Sequence, residues 1–495
     1  MSDLVPFSLF GLSLLAALAT GEALRAWAGW APESSRRVVH ALVGVATALS
    51  VPLFDAPTGI YALAVGFGVV NVFASPRGVF PGMHGIARRS WGTVTFPLAL
   101  VVALFLAWTL DPDRRGAITA AFLVLGLADP AASLVGTRIA KPRRYQAGGE
   151  PKSVEGSAAF LAVAALAISA VIAWGFLPKA QASGALVGAL AIAGPVAALA
   201  ASAEALGRRG WDNLWIVLAV LVGVVGATGG RWTIAQAWLG VALAAGFSAV
   251  AYRLRSLDLG GTVAAGVLAW LVVVGGPAWA VPIFVFFALS SALSRVGRRR
   301  KAGAEALAEK GSRRDVGQVL ANGGVAGAAL VATVFWPGAE GDLYVAFLGA
   351  LAAAAADTWA TELGTLAGGP TRRLAVGRRV PPGTSGGMSV AGTLGAVAGA
   401  ASVAVAAWPV ASLTPALAAV VVASGVAGAL ADTVLGGTLQ ARYRAASGAL
   451  TERREVDGRT LPLAAGVAGL GNDAVNLVCT AVGAGAAVAL WIALG

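Results

Sequence analysis

Thirty-two of the thirty-six lysines and arginines fall in every second connection between apolar runs, and only four fall in the others. Eight such runs end near Val225, and eight more extend from about Trp232 to the C-terminus. In the first half the basic connections hold Arg25, Arg36 and Arg37; Arg77, Arg88 and Arg89; five residues from Arg138 to Lys152; and Arg208 with Arg209. In the second half they hold Arg253 and Arg255; eight residues from Arg295 to Arg314; Arg372, Arg373, Arg378 and Arg379; and five from Arg442 to Arg459. Arg114, Arg115, Lys179 and Arg231 lie on the other side. Basic loops are retained on the cytoplasmic face of a membrane. The pattern therefore predicts an all-α polytopic integral membrane protein of about 16 transmembrane helices, with both termini outside. Only 12% of the residues are charged and 58% are hydrophobic, whereas soluble proteins carry about 25% charged residues.

The topology also accounts for the net charge of +12, so nucleic acid is not expected as a partner. The lone cysteine, Cys479, excludes an internal disulfide, and two histidines, His40 and His84, are too few for a zinc site built from His and Cys. The first apolar run lacks a basic start and is expected to be a retained membrane helix. The expected location is the bacterial inner membrane, with the functional sites facing the cytoplasm.

An even number of spans in each half gives both halves the same orientation, a parallel repeat. Residues 1–230 and 231–495 are the expected domains, divided near the short Ala-Thr-Gly-Gly-Arg stretch. Asp129 and Asp357 each fall on the fifth span of their half, and each is followed seven residues on by a glycine, Gly136 or Gly364. Twenty-eight residues past each aspartate comes a serine, Ser157 or Ser385, in a turn expected to open the sixth span. Seventy-five past comes a second acid, Glu204 or Asp432. Asp212-Asn213 and Asn472-Asp473 open the eighth spans. A carboxylate inside a membrane helix is costly and marks a functional site by default, so a repeated set predicts two related sites.

In the first half Asp129 precedes a basic loop that ends in Lys152-Ser153-Val154-Glu155-Gly156-Ser157. Gly156 and the two serines are expected to offer donors to an anion at a helix start, with Lys152 adding charge. Asp129 or Glu155 would hold Mg²⁺ beside substrate phosphates, and Glu204, Asp212 and Asn213 would close the site. In the second half Asp357 and Glu362 share a helix, and Gly383-Thr384-Ser385-Gly386-Gly387 reads as a phosphate nest. Asp432, Gln440, Asn472, Asp473 and Asn476 gather further polar groups at apolar helix ends. Arg314, Gln318 and Asn322 do the same on the fourth span, where Gln318 and Asn322 share a face. Asp129, Asp357 and Asp432 are the expected metal ligands.

These residues resemble two families. Ala128-Asp129-Pro130-Ala131-Ala132-Ser133-Leu134-Val135-Gly136, the Pro151–Ser157 element, and Glu204 with Asp212-Asn213 are similar to the polyprenol kinases that include dolichol and phytol kinases; Ser153 stands where that family usually has Thr. The second half resembles the membrane family containing phytyl-phosphate kinase, many of whose members have no assigned function. The matching pieces run from Arg314 to Asn322, from Ala356 to Gly364, from Gly383 to Thr393, and from Ala431 to Gln440. The resemblance implies a bifunctional membrane kinase. Its first half would phosphorylate an isoprenoid alcohol such as phytol or geranylgeraniol, and its second half the resulting isoprenyl monophosphate, with Mg²⁺ and CTP or ATP. No Gly-x-x-x-x-Gly-Lys-Ser/Thr sequence is present, which excludes a P-loop kinase. Direct in-line transfer suits the inventory, since positioning and charge neutralisation do most of that work. A lipid-phosphate cytidylyltransferase and a membrane transporter are the alternatives.

Overall fold

In the computed structural model, residues 3–74, 90–175, 185–297, 313–373, 377–381, 384–445, 448, 450–456 and 459–494 are described. Arg77, His84, Arg88, Arg89, Lys179, the basic residues between 298 and 310, and Gly383 lie outside them.

Among the described residues, twelve helices are long and apolar enough to cross a membrane, and four more apolar helices have 17 residues each. The twelve spans establish the expected polytopic class, and the four shorter helices occupy places where the sequence pattern expects further spans. Those of the first half are α1 (Leu4–Ala26), α2 (Pro32–Ser50), α3 (Thr58–Ala74), α4 (Gly92–Leu104, continued by a π-helical turn over Phe105–Thr109), α5 (Gly116–Arg138), α6 (Val154–Ala173), α7 (Ala185–Leu206) and α8 (Asp212–Thr228). Those of the second are α9 (Ile234–Arg253), α10 (Leu259–Gly275), α11 (Pro277–Leu293), α12 (Val316–Phe335), α13 (Glu340–Ala367), α14 (Val390–Ala411), α15 (Pro415–Thr438) and α16 (Asn472–Ala493). Helices dominate because a chain in lipid must satisfy its backbone groups internally. The protein is an all-α polytopic membrane protein.

The chain forms two compact units, Met1–Val241 and Ala242–Gly495. The division falls inside α9, beyond the turn at residue 230. Trp238 explains the shift: a Cβ at Gly194 would meet its ring at 2.6 Å, and its indole N–H donates to the Ala191 carbonyl at 3.0 Å. The start of α9 thus belongs with the first unit.

Each unit is built around its fifth helix. In the first, α5 packs against α2, α6 and α8; in the second, α13 packs against α12, α14, α15 and α16. Glycines permit the closest crossings. A Cβ on Gly44 would stand 2.4 Å from the Gly126 Cα, and one on Gly349 would stand 2.5 Å from the Gly483 carbonyl oxygen. Small residues at such crossings let helix backbones meet in lipid.

Short strands occupy the connections. β1 (Arg144–Gln146) and β2 (Pro151–Ser153) form an antiparallel hairpin leading into α6. β3 (Thr371–Arg373) pairs with both β4 (Arg379–Val380) and β5 (Gly387–Met388), and β5 leads into α14. Between α15 and α16, β6 (Arg442–Arg444) lies between β7 (Leu450–Thr451) and β10 (Leu463–Ala465), while β8 (Glu455–Val456) pairs with β9 (Arg459–Thr460).

Candidate functional site

Asp129 and Asp357 stand at matching places. Each follows a fully buried alanine, Ala128 or Ala356, where the apolar body of the central helix gives way to its polar end. The glycine seven residues on serves the next helix. A Cβ at Gly136 would meet the Ser153 hydroxyl at 2.7 Å, and one at Gly364 would meet the Ser389 hydroxyl at 3.2 Å. Those serines are the N-caps of α6 and α14, accepting from the Gly156 and Gly392 amides at 3.1 Å. The repeated Asp–Gly spacing thus brings the capped start of the sixth helix beside the aspartate.

This geometry corrects the serine match. Ser157 lies in the first turn of α6, but Ser385 precedes β5, outside α14. The equivalent residues are Ser153 and Ser389, 24 and 32 past their aspartates (153 − 129 = 24; 389 − 357 = 32). The overlooked signal is Ser153-Val154-Glu155-Gly156-Ser157 repeated as Ser389-Val390-Ala391-Gly392-Thr393. On this register Lys152 corresponds to Met388 and Glu155 to Ala391.

In the first unit a cavity of about 210 Å³ is lined by Asp129, Lys152, Ser153, Gly156, Ser157, Glu204 and Asp212. Lys152 forms an ion pair with the buried Glu204 carboxylate. Burial alone would lower the lysine pKa, but the carboxylates of Glu204, Asp212 and Asp129 outweigh it and hold it above the ordinary value. Tyr145, opposite Lys152 across the hairpin, shares a 2.6 Å hydrogen bond with Ser157, and burial raises its phenol pKa.

Further charged and titratable residues of the cavity escaped the sequence reading: Glu33, Arg36, Arg37 and His40 of α2, Arg144 of β1, and Glu150. The His40 Nε2 hydrogen-bonds the Leu125 carbonyl at 3.1 Å and lies 3.7 Å from the Asp129 carboxylate. The buried Arg36 Nη1 and Arg37 Nε have no hydrogen-bond partner among the described residues. Buried donors of this kind cost free energy unless something fills them.

The expected backbone anion site at the start of α6 is already used. The Val154 amide donates to the Arg143 carbonyl, Gly156 to Ser153, and the Ser157 hydroxyl faces Tyr145. Among the described residues, the unpartnered donors at this cavity are therefore the Arg36 and Arg37 side-chain nitrogens rather than helix-start amides. Glu155 is absent from the lining; its carboxylate binds the Arg143 amide at 3.0 Å and its guanidinium at 2.9 Å. Asn213 is absent too, donating to the Gly92 carbonyl at 2.8 Å and so tying α8 to α4.

The second unit holds a cavity of about 430 Å³. It gathers Asp357, Asp432, Gln440, Asn472 and Asn476 with the Thr384–Gly387 turn. The Asp357 and Asp432 carboxyl groups lie in hydrogen-bond contact, and the buried Asp432 Oδ1 has no partner among the described residues. Arg373, Arg442 and Glu452 also line this cavity. Burial and the like charge of Arg373 lower the Arg442 pKa, against the pull of Glu452.

The phosphate-nest expectation fails for most of its donors. The Thr384 amide donates to the Pro381 carbonyl, the Gly387 amide to the Thr384 carbonyl, and the Ser385 hydroxyl to Glu452. Gly386 serves packing instead, since its φ is +78° and a Cβ there would stand 2.2 Å from the Gly437 Cα. The turn is built to lie on α15.

Arg314, Gln318 and Asn322 do not reach the large cavity. They border a separate hollow of about 60 Å³ among phenylalanines. Arg314 lies 5.7 Å from the centre of the Phe287 ring. Gln318 completes a capping box with Asp315 at the start of α12. Glu362 accepts a hydrogen bond from Ser294, and Asp473 stands beside the cavity without lining it.

The units differ most between their seventh and eighth helices. Five residues separate α7 from α8 (212 − 206 − 1 = 5), and thirty-three separate α15 from α16 (472 − 438 − 1 = 33). The long connection supplies Gln440, Arg442 and Glu452.

Residues 242–484 match a family described as Integral membrane protein DUF92. The chain is also similar to Protein PGR of Arabidopsis thaliana, with 28% identity over 253 residues, covering 46% of this chain and 86% of that protein. No solved structure matches it.

Proposed function

We propose that the protein is a bifunctional membrane phosphotransferase. The first unit phosphorylates an isoprenoid alcohol of the phytol or geranylgeraniol type, and the second converts the monophosphate to the diphosphate, with CTP or ATP as donor. The observation that carries this reading is the repeated cavity: an aspartate from the fifth helix, an acid from the seventh and the capped start of the sixth, closed by basic side chains. Phosphoryl transfer asks for this combination, because positioning and charge neutralisation supply most of the catalysis. The resemblance of the Ala128–Gly136 and Pro151–Ser157 elements to those of polyprenol kinases supports the same reaction class.

In the first unit Arg36, Arg37, Arg144 and Lys152 would bind phosphate oxygens, and Asp129 would accept the alcohol proton or hold the metal. In the second, Arg373 and Arg442 would bind the phosphates. Among the described residues no three His, Cys, Asp or Glu side chains converge as a metal cage. Mg²⁺ needs none, since it binds one or two carboxylates together with substrate phosphates. The contact of Asp357 with Asp432, and the unpartnered Asp432 Oδ1, fit such an ion. When bound it would neutralise charge on the transferring phosphoryl group. Both cavities lie at helix ends beside the basic connections, whereas a transporter's coupling sites sit near the bilayer midplane.

The test is an assay of the purified full chain with phytol or geranylgeraniol, Mg²⁺ and γ-labelled CTP or ATP, resolving the lipid products. Labelled isoprenyl diphosphate is the expected result. Transfer of a nucleotidyl group to the lipid would instead indicate a cytidylyltransferase, and nucleotide-independent uptake of a solute a transporter.

A further inference from the structure

Beside the polar cavity of the first unit lies a hollow of about 630 Å³, bordered by Val38 and Ala41 of α2 and by Ala131 and Leu134 of α5. Arg37 and Pro130 line both spaces. The same two helices touch at Gly44 and Gly126, so the hollow opens between them toward their basic ends. Trp30 and Arg138, also in its walls, stand at those ends; Trp and Arg are residues of the membrane–water interface. Leu134 is 39% exposed and Trp30 43% exposed, so the hollow faces outward from the bundle.

Arg37 decides what belongs there. Its buried Nε has no hydrogen-bond partner among the described residues, and it stands where an apolar groove meets a polar cavity. That is the junction an amphiphile presents between chain and head. The volume lies within the range of ligand-binding cavities.

We infer that the groove between α2 and α5 is the lateral entry and chain-binding site for the isoprenoid alcohol, whose hydroxyl passes Arg37 to reach Asp129. This rests on the kinase reading of the first unit. It makes Ala131 and Leu134 specificity-determining residues for the chain, separate from the phosphate-binding groups.

The test uses the full chain in phosphatidylglycerol vesicles with a diazirine-bearing isoprenoid alcohol. Photolabelling is expected on the peptides carrying Val38–Ala41 and Ala131–Leu134, and excess geranylgeraniol should suppress it. Labelling elsewhere, or labelling that geranylgeraniol does not suppress, would mean a furrow filled by bulk lipid and would overturn the inference. Independently, Ala131→Trp should lower the ratio of kcat/KM for geranylgeraniol over a short prenyl alcohol by about tenfold or more. Leu127→Trp, at a 39% exposed position on α5 outside both cavities, should leave that ratio unchanged. Competed labelling without phosphate transfer would defeat the kinase reading alone; phosphate transfer with uncompeted labelling would defeat the groove alone.

Discussion

In the first unit the acid from the seventh helix, Glu204, is paired with Lys152; in the second, its counterpart Asp432 lies against another acid, Asp357. The same backbone arrangement therefore presents opposite electrostatic problems. The lysine–glutamate pair is already neutral, and Asp129 stands 3.7 Å from the His40 imidazole with Asp212 lining the same cavity. Two carboxyl groups in contact need a cation or a shared proton between them. The second unit carries Met388 where the first has Lys152, and places Arg373 on the neighbouring strand β3. Its long seventh-to-eighth connection adds Arg442 and Glu452. The scaffold thus fixes where the acids stand, while the connections set the charge around them. Under the proposed function, a neutral alcohol in the first unit and an anionic monophosphate in the second would call for that kind of difference.

Substitutions at the two aspartates should matter most. Asp129→Asn should reduce alcohol phosphorylation by about 10³-fold while sparing added monophosphate, and Asp357→Asn should cut diphosphate formation similarly and let monophosphate accumulate. Product-resolved assays check both; equal loss of both steps in either variant would erase the functional distinction between the units.

Lys152→Met copies the second unit's residue into the first and leaves the buried Glu204 carboxylate unpaired. A destabilisation of about 3 kcal/mol is expected in denaturant unfolding, with Lys152→Met/Glu204→Gln recovering part of it. The same pair carries a pH signature. Because the folded state holds the Lys152 pKa above its ordinary value of 10.5, its contribution is complete below that pH and lost as pH rises through the folded value. Alkaline loss of stability should therefore shrink in Lys152→Met.

Gly126→Ala and Gly349→Ala should each cost about 1–3 kcal/mol, because each added methyl meets backbone of the crossing helix. Smallest are the caps: Ser153→Ala and Ser389→Ala should each cost about 1 kcal/mol, and by similar amounts if the two serines are equivalent. A penalty for Ser385→Ala but none for Ser389→Ala would favour pairing Ser157 with Ser385 instead.

The polytopic helical class and the placement of both aspartates on the central helices of their units are legible in the sequence, because charge alternation and apolar length are imposed by the bilayer itself. The register of the sixth helices is hidden for a local reason. Equal spacing from the aspartate favours Ser385, but the insertion holding β3 to β5 makes the second connection longer, and only the Ser-Val-x-Gly-Ser/Thr match survives it. Arg36, Arg37 and His40 carry no sequence signal because α2 lies about ninety residues before Asp129 (129 − 37 = 92), and only packing brings them together. Glu155, Asn213 and Gln318 look like ligand-binding residues in the sequence, yet each satisfies a nearby backbone group or ion pair. Polar residues at membrane helix ends serve as caps and ties as readily as ligands, and composition alone does not separate the roles.

Complementation between variants distinguishes two separate catalytic cavities from one. Asp129→Asn and Asp357→Asn chains would be reconstituted together in one vesicle preparation with geranylgeraniol, Mg²⁺ and γ-labelled CTP or ATP. With two cavities, the mixture should form labelled isoprenyl diphosphate although neither variant does so alone, the monophosphate passing through the bilayer from one chain to the other. Diphosphate from either variant by itself, or none from the mixture while the unaltered chain makes it, would rule out two cavities working in sequence.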